Sequence, residues 1–133
     1  MMGGKTAIVT GAGNGIGRGI AQAFAREGLT VIATDVDRPA LDETLRQIGD
    51  GHGNIVTKCL DVSNMTEIEH FSTWVMDQFG GLDILVNCAG VTRKIDFFDL
   101  TADDVDWINS VNIRGTLLMM QAAARIMRSH GSG

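Results

Sequence analysis

The 133-residue sequence contains no tyrosine, a single proline and only two cysteines. Cys59 and Cys88 lie far apart and lack the spacing of metal ligands, and both fall in or beside apolar runs. We therefore expect free, buried thiols in a reducing compartment. Basic residues are also scarce, with 11 lysines and arginines scattered among 16 acidic residues. A surface that tracks nucleic-acid phosphates is not expected from this balance.

Long apolar runs are absent as well. The glycines and the lysine at positions 3–5 interrupt the N-terminus before the apolar core of a secretory signal can form. No stretch approaches the roughly 20 apolar residues of a membrane span. The richest stretch, 116–127, is interrupted by Gln121 and Arg125. These absences predict a cytoplasmic protein without a membrane partner.

Short apolar runs alternate with amphipathic segments along the whole chain, whose length suits one domain. The predicted strands cover 6–9, 30–34, 54–60 and 83–87. The predicted helices run to Glu27, from Pro39 to Gly49, from Asn64 to Gly80, and from after Thr101 to about Met127. Such alternation predicts an α/β fold, with a parallel sheet and helices on both of its faces.

A glycine-rich turn, residues 10–17, follows the first predicted strand and reads Thr-Gly-Ala-Gly-Asn-Gly-Ile-Gly. Residues without a Cβ let the backbone turn tightly and let a diphosphate approach it closely. The N–H groups and the positive dipole end of the following helix would then hold the phosphates. The alternative is a glycine-rich turn that binds nothing. We expect the helix to bury Ile16, Ile20, Ala23 and Phe24 on one face.

A second chemical signal is Asp35, which stands at the carboxyl end of the second predicted strand. A carboxylate at this position can accept hydrogen bonds from both hydroxyls of an adenosine ribose, and its charge would repel a 2′-phosphate. The alternative is an ordinary surface loop, 35–37, with no ligand.

The spacing of Gly11, Gly15 and Gly17 after Thr10 resembles the glycine motif of the short-chain dehydrogenase/reductase family. Further segments are similar to later motifs of that family, in the same order along the chain. These are Asp61-Val62 after the third predicted strand, Asn87-Cys88-Ala89-Gly90 after the fourth, and Asn112 within 111–115. The family has asparagine where this chain has Cys88. The resemblance covers the whole sequence.

The resemblance implies a Rossmann-like, doubly wound parallel sheet, here cut to four βα units in the strand order 3-2-1-4. It implies NAD as the cofactor and an alcohol or ketone as the substrate. The implied cofactor-binding residues are Gly11, Asn14, Gly15, Ile16, Gly17, Asp35, Asp61, Val62, Asn87, Ala89 and Gly90. Asn112 is the implied catalytic asparagine, which helps to hold a water in the proton relay.

The choice of NAD over NADP comes from Asp35, Asn14 and Val36. NADP-preferring relatives often carry a basic residue where this chain has Asn14 or Val36. Arg18 and Arg38 remain within reach of the same region and leave the cofactor preference open at this point.

The absence of tyrosine is informative because of the resemblance to this family. Family members use a tyrosine as the general acid/base, with a lysine four residues on and a serine upstream. We therefore expect residues 1–133 to form an NAD-binding domain that is incomplete at its C-terminal end and inactive alone. No replacement base is evident, because His52 lies in a glycine-rich loop and His70 on an exposed helix face. Glu67 and His70 are interpreted as a surface pair, not as metal ligands.

Other classes of function remain open. The chain could be a non-catalytic nucleotide-binding module or an inactive truncated remnant. The coding DNA beyond Gly133 would separate these from the enzyme, because the enzyme requires a further strand followed by the serine and Tyr-x-x-x-Lys.

Association is expected as well. The fourth strand would form an exposed apolar edge, which invites pairing with another chain. The last predicted helix would add an apolar surface, made of Leu117, Leu118, Met119, Met120, Ile126 and Met127. We expect a homo-oligomer or aggregation through these two features.

Overall fold

The computed structural model describes residues 3–49 and 54–133. Strands and helices alternate as predicted: β1 (Thr6–Thr10), α1 (Gly15–Arg26), β2 (Thr30–Asp35), α2 (Arg38–Ile48), β3 (Asn54–Cys59), α3 (Met65–Phe79), β4 (Ile84–Val86), α4 (Ala102–Asn109) and α5 (Thr116–His130). The strands form one parallel four-stranded sheet in the order β3-β2-β1-β4. This confirms the predicted α/β, Rossmann-like architecture and its strand order.

Successive strand side chains point to opposite faces, so the sheet carries two separate cores. On one face, Ala7, Val9, Val31 and Ala33 pack with the small residues of α1 and with Leu41 and Ile48 of α2. On the other face, Ile8 and Ile32 pack with Phe71 and Val75 of α3 and with Met119 and Ile126 of α5. The helices therefore cover both faces and leave the carboxyl ends of the strands open between them.

The buried face of α1 differs from the predicted one. Gly17, Ala21 and Ala25 face the sheet, whereas Ile16 is 79% exposed and Ala23 is also exposed. Small residues on the inner face let the helix axis approach the strands closely, and the larger apolar side chains lie toward the rim. Ile20 and Phe24 are half-buried and pack against the core, so the predicted face is confirmed in part.

The helix predicted after Thr101 is present, and its backbone stays helical from Ala102 to His130, but it is not a uniform α-helix. A π-helical turn, Ser110–Gly115, separates α4 from α5. α5 directs Met119 and Ile126 into the core, so the apolar surface of this helix is smaller than predicted. Leu117 and Met120 stay exposed, at 58% and 51%.

The cysteines are free, but they are not both buried. Cys59 is exposed and Cys88 is half-buried. Cys59 is the last residue of β3, an edge strand with a neighbour on one side alone, which explains its exposure. His70 is exposed on α3, as predicted, whereas His52 lies outside the described residues. Within 3–49 and 54–133, no helix combines the length and the hydropathy that crossing a bilayer requires.

Two neighbouring threonines of the sheet predict opposite responses to the same substitution. Thr10 and Thr34 pair in register on β1 and β2, and both are buried. The Thr10 hydroxyl accepts hydrogen bonds from the backbone N–H groups of Cys88 and Ala89, at 3.1 and 3.0 Å. In the described part of the chain, the Thr34 hydroxyl is a buried polar group that has no hydrogen-bond partner.

Thr34→Val is therefore expected to raise the free energy of unfolding by about 1 kcal/mol, because it removes an unsatisfied hydroxyl without changing the side-chain shape. Thr10→Val is expected to lower it by about 2 kcal/mol, because two backbone donors lose their acceptor. Urea unfolding of both variants beside the parent chain measures the difference. Equal shifts of the same sign would contradict this assignment.

Candidate nucleotide-binding site

A cavity of about 410 Å³ opens at the carboxyl ends of the strands. The turn after β1, the ends of β2 and β3 and the loop after β4 surround it. Its lining consists of Gly11, Asp35, Val36, Leu60, Asp61, Val62, Ser63, Ala89, Gly90, Val91, Trp107 and Val111. The strand order reverses between β1 and β4, and open α/β sheets bind ligands at such a crevice.

A second cavity, of about 400 Å³, lies between α3 and α5 and is lined by residues such as Ile68, Met76, Leu118 and Ala122. It belongs to the helical face of the molecule and not to the strand ends. The first cavity is therefore the one that combines the glycine turn with carboxylates.

The glycine turn is held against the loop that follows β4. Gly11 adopts φ +64°, and a Cβ there would lie 2.8 Å from the backbone nitrogen of Ala89. A residue with a side chain would force these two loops apart. Thr10 adds the hydrogen bonds to Cys88 and Ala89 that fix the same pair of loops. The floor of the cavity is thus a close-packed junction of β1 and β4.

The first turn of α1 is open toward the outside. Gly15 has φ +50°, and a Cβ there would meet no atom within 4 Å. Asn14 occupies the N-cap position without making a side-chain capping hydrogen bond, whereas α2, α3 and α4 are capped by Asp37, Asn64 and Thr101. Backbone N–H groups at an uncapped helix start are donors for an anion. The turn is therefore shaped to accept a diphosphate.

Asp35 ends β2 beside this turn. Its Oδ2 accepts a hydrogen bond from the Gly13 N–H at 3.0 Å, and its Oδ1 accepts one from the Asp37 N–H at 3.1 Å. The two bonds fix the plane of the carboxylate while the residue remains partly exposed in the cavity wall. A carboxylate held in this way can accept from a ribose diol.

Asp61 follows β3, the strand next to β2, and the preceding Leu60 donates its N–H to the Asp35 carbonyl at 3.0 Å. Oδ1 of Asp61 accepts from the Ser63 hydroxyl at 2.7 Å and from the Ser63 N–H at 2.9 Å. Its own N–H donates to Glu67 at 3.0 Å, which ties the loop to the first turn of α3. Asp61 and Val62 together offer a polar acceptor beside an apolar surface, which suits a nucleobase.

Asn112 joins the π-helical turn to the loop after β4. Its Oδ1 accepts from the Val91 N–H at 2.7 Å, and its Nδ2 donates to the Val91 carbonyl at 2.8 Å. A wider helical turn at this point lets the side chain leave the helix and meet the loop. Asn112 therefore sets the position of a backbone segment that lines the cavity.

An ion pair and a cation–π contact lie beside Trp107 in the cavity wall. Nη1 of Arg93 lies 2.6 Å from Oδ1 of Asp104, and the central carbon of its guanidinium lies 4.9 Å from the ring centre of Trp107. Hydrogen bonds from Thr101, together with the charge of Arg93, hold the pKa of Asp104 below its usual range. The loop after β4 is thereby anchored to the start of α4.

The structure brings most of the predicted site residues together. Gly11, Asp35, Asp61, Val62, Ala89 and Gly90 line the cavity. Asn14, Gly15 and Ile16 are exposed at the start of α1, outside the lining, and Gly17 is buried there against the backbone of Gly11. Asn87 and Asn112 are also outside the lining, and Asn112 acts on it through Val91. In 3–49 and 54–133, no group of three or more histidine, cysteine or acidic side chains is arranged as a metal site.

Sequence reasoning missed several residues of the wall. Leu60, Ser63 and Trp107 line the cavity although no motif pointed to them, whereas Val111 lies within the 111–115 motif but was not named as a site residue. Ser63 could have been found as the polar neighbour of Asp61-Val62. Trp107 gave no such signal, because a tryptophan on an amphipathic helix is most often a core residue.

The fold is that of an open α/β protein with a cavity at the carboxyl ends of its parallel strands. The family model described as short chain dehydrogenase matches residues 5–133. The sorbitol dehydrogenase of Cereibacter sphaeroides is 38% identical over 130 residues, which are 98% of this chain and 50% of that protein. The chain therefore belongs to the short-chain dehydrogenase/reductase family, and the predicted resemblance is confirmed.

Solved structures of the family superpose closely. A short-chain type dehydrogenase/reductase from Mycobacterium marinum matches with a TM-score of 0.93 and 30% identity, over 99% of this chain and 52% of that one. The 3-ketoacyl-(acyl-carrier-protein) reductase of Brucella melitensis, solved in complex with NADH, matches with a TM-score of 0.89 and 31% identity, over 98% and 53%. The chain thus spans about half the length of the relatives that it matches.

Proposed function

We propose that this chain is the NAD(H)-binding part of a short-chain oxidoreductase that acts on an alcohol or ketone. The observation that carries the proposal is the cavity at the strand ends, where an open helix start lies beside the fixed carboxylate of Asp35. The cofactor, when bound, supplies hydride transfer. The chain supplies the diphosphate turn, an acceptor for the ribose diol and a pocket for the base.

The residues present fit this cofactor better than its 2′-phosphorylated form. Val36 and Asp35 form the cavity wall where a 2′-phosphate would lie, and neither offers a positive charge. Asn14 is likewise uncharged. Asp61 and Val62, with Asn87, Ala89 and Gly90 on the other side, complete the proposed set of contacts, and Asn112 holds the loop beside the nicotinamide end through Val91.

Calorimetric titration of the chain with NADH, and separately with NADPH, tests the proposal. We expect saturable binding of NADH at one site per chain and weaker binding of NADPH. Failure of both nucleotides to bind a folded chain, or tighter binding of NADPH, would overturn it.

Residues 1–133 expressed alone are expected to show no cofactor-linked turnover of alcohols or ketones. The sequence has no tyrosine to donate a proton beside the nicotinamide, although positioning by itself gives some acceleration. A sensitive assay of NADH absorbance measures this, with Gly15→Trp as the control that blocks the open turn. Turnover that disappears in Gly15→Trp would contradict the expectation.

We also propose that the chain is cytoplasmic and that residues 1–133 self-associate through β4 and α5. β4 is an edge of the described sheet. Ile113 of the π-helical turn and Leu117 and Met120 of α5 are exposed apolar side chains at helical spacing. Light scattering at tens of micromolar is expected to show a mass above one chain. A monodisperse monomer that melts cooperatively would contradict this proposal.

A further inference from the structure

Arg18 lies in the seam between α1 and α2, underneath the glycine turn. Its Nε donates to the Thr44 hydroxyl at 3.0 Å. One terminal nitrogen of the same guanidinium donates to the carbonyl of Gly13 and to that of Ala40. The planar fork of an arginine suits several acceptors at fixed angles, which a lysine could not serve in the same way. The guanidinium is therefore occupied by protein acceptors.

The apolar residues of α2 recur at Leu41, Leu45 and Ile48, a spacing that favours Leu45 as a buried residue of this helix. The structure buries Thr44 completely and leaves Leu45 half-buried. The Thr44 hydroxyl accepts from Arg18 and has two carbonyl acceptors within reach, Ala12 at 2.8 Å and Ala40 at 3.1 Å. The shorter contact assigns its single proton to the Ala12 carbonyl. The buried hydroxyl is therefore satisfied both as a donor and as an acceptor of hydrogen bonds. It connects the α1–α2 interface to the glycine turn.

The peptide between Ala12 and Gly13 is held at both ends. Its carbonyl accepts from Thr44, and its N–H donates to Oδ2 of Asp35 at 3.0 Å. Because a peptide unit is planar and rigid, the position of the carbonyl also sets the direction of the N–H. The space is tight as well, since a Cβ on Gly13 would lie 2.8 Å from Cβ of Ala40 and 2.9 Å from Oδ2 of Asp35.

We propose that Arg18 and Thr44 are positioning residues for cofactor selection, acting on Asp35 through the Ala12–Gly13 peptide. This inference rests on the proposed NAD(H) binding at the same site. Arg18 orders Thr44, Thr44 orients the peptide, and the peptide N–H holds the carboxylate toward the ribose diol. Arg18 does not serve as the counter-ion of a 2′-phosphate, because a phosphate would have to draw its guanidinium away from the backbone carbonyls that now hold it.

The other arginine that left the cofactor preference open is also engaged. Arg38 donates to the Thr57 hydroxyl at 3.1 Å and lies 3.9 Å from Asp42. These contacts are exposed and weaker than those of Arg18. Neither contact joins Arg38 to Thr44, to the Ala12–Gly13 peptide or to Asp35, so the relay runs through Arg18 and not through Arg38.

The test compares dissociation constants for NADH and NADPH in the full chain and its variants. Thr44→Val removes the hydroxyl and keeps the shape, whereas Thr44→Ser retains the hydroxyl. Arg18→Met breaks the fork, and Arg26→Met makes the same charge change on an exposed residue in the last turn of α1. Thr44→Val and Arg18→Met are expected to weaken NADH binding about tenfold, the effect of losing one oriented hydrogen bond to a charged group, and to change NADPH binding little.

Thr44→Ser and Arg26→Met are expected to bind both nucleotides as the parent chain does. A double-mutant cycle gives the sharpest readout. In an Asp35→Ala background, Thr44→Val should change the ratio of NADH to NADPH affinity no further, because the side chain that accepts from the Gly13 N–H is missing. If Thr44 and Arg18 had a purely structural role, their substitution would weaken the binding of NADH and of NADPH equally, in either background. The loss of binding would then follow a lower melting temperature.

Three results decide the matter. If the parent chain binds neither nucleotide, the proposed function fails and this inference fails with it. If the parent prefers NADH but Thr44→Val and Arg18→Met keep the parental ratio, this inference alone is wrong. If Thr44→Val does not fold, Arg18→Lys is used in its place. An NADH-to-NADPH affinity ratio that equals the parental one in both Arg18→Lys and Arg18→Met would then contradict the relay.

Discussion

Gly17→Ala is expected to abolish nucleotide binding and to destabilise the chain severely, whereas Gly19→Ala is expected to stabilise it. Gly17 is buried where α1 leaves the glycine turn. A Cβ at this position would lie 2.7 Å from the carbonyl carbon of Gly11 and closer still to its oxygen. These are backbone atoms, so no side chain can move aside, and the turn itself would have to shift.

Gly19 provides the matched control two residues further along the same helix. It is exposed, and a Cβ there would meet nothing within 4 Å. Glycine inside a helix costs roughly 0.5–1 kcal/mol relative to alanine, so Gly19→Ala should raise the free energy of unfolding by about that amount. Denaturant unfolding and NADH titration of the two variants check both effects. A Gly17→Ala chain that binds NADH like its parent would contradict the close approach on which the turn depends.

Asp35→Asn is expected to lower the ratio of NADH affinity to NADPH affinity by about 100-fold. The substitution removes the negative charge that strengthens the hydrogen bonds from the ribose diol, and it also removes the repulsion of a 2′-phosphate. Asparagine keeps the size of the side chain and can still accept from the Gly13 N–H. The change therefore reports on charge more than on packing.

Asp37→Asn is the matched control for Asp35→Asn. Asp37 lies two residues away and caps α2 by accepting from the Ala40 N–H at 3.0 Å, a role that asparagine also fills. We expect Asp37→Asn to leave the ratio of the two affinities unchanged. If both substitutions moved the ratio equally, the preference would come from the net charge of the region and not from Asp35.

The sequence predicts the architecture because the signals are local. Apolar strands, helix caps and the glycine turn each fix a short segment, and parallel strands must then expose their carboxyl ends at one edge. Asp35 and Asp61 follow β2 and β3 directly, so their convergence on one cavity could be predicted from their places in the chain.

The contacts between distant segments could not be predicted. Arg18 and Thr44 meet because α1 and α2 pack side by side, and neither residue stands out in its own helix. Similarly, the π-helical turn contains no proline, and its Gly115 packs against Val62, where a Cβ would lie 2.8 Å from Cγ2. Helical periodicity alone does not reveal this turn, and the contact of Gly115 with Val62 joins segments that lie far apart in the chain.

The proposed nucleotide site lies at the carboxyl ends of the strands. Amide chemical-shift mapping of the isotope-labelled chain during an NADH titration tests this location most directly, since the two cavities of similar volume are lined by different residues. We expect the largest shifts at Gly11, Asp35 and Ala89. Shifts concentrated at Ser72, Gln121 and Ala122, between α3 and α5, would contradict the account.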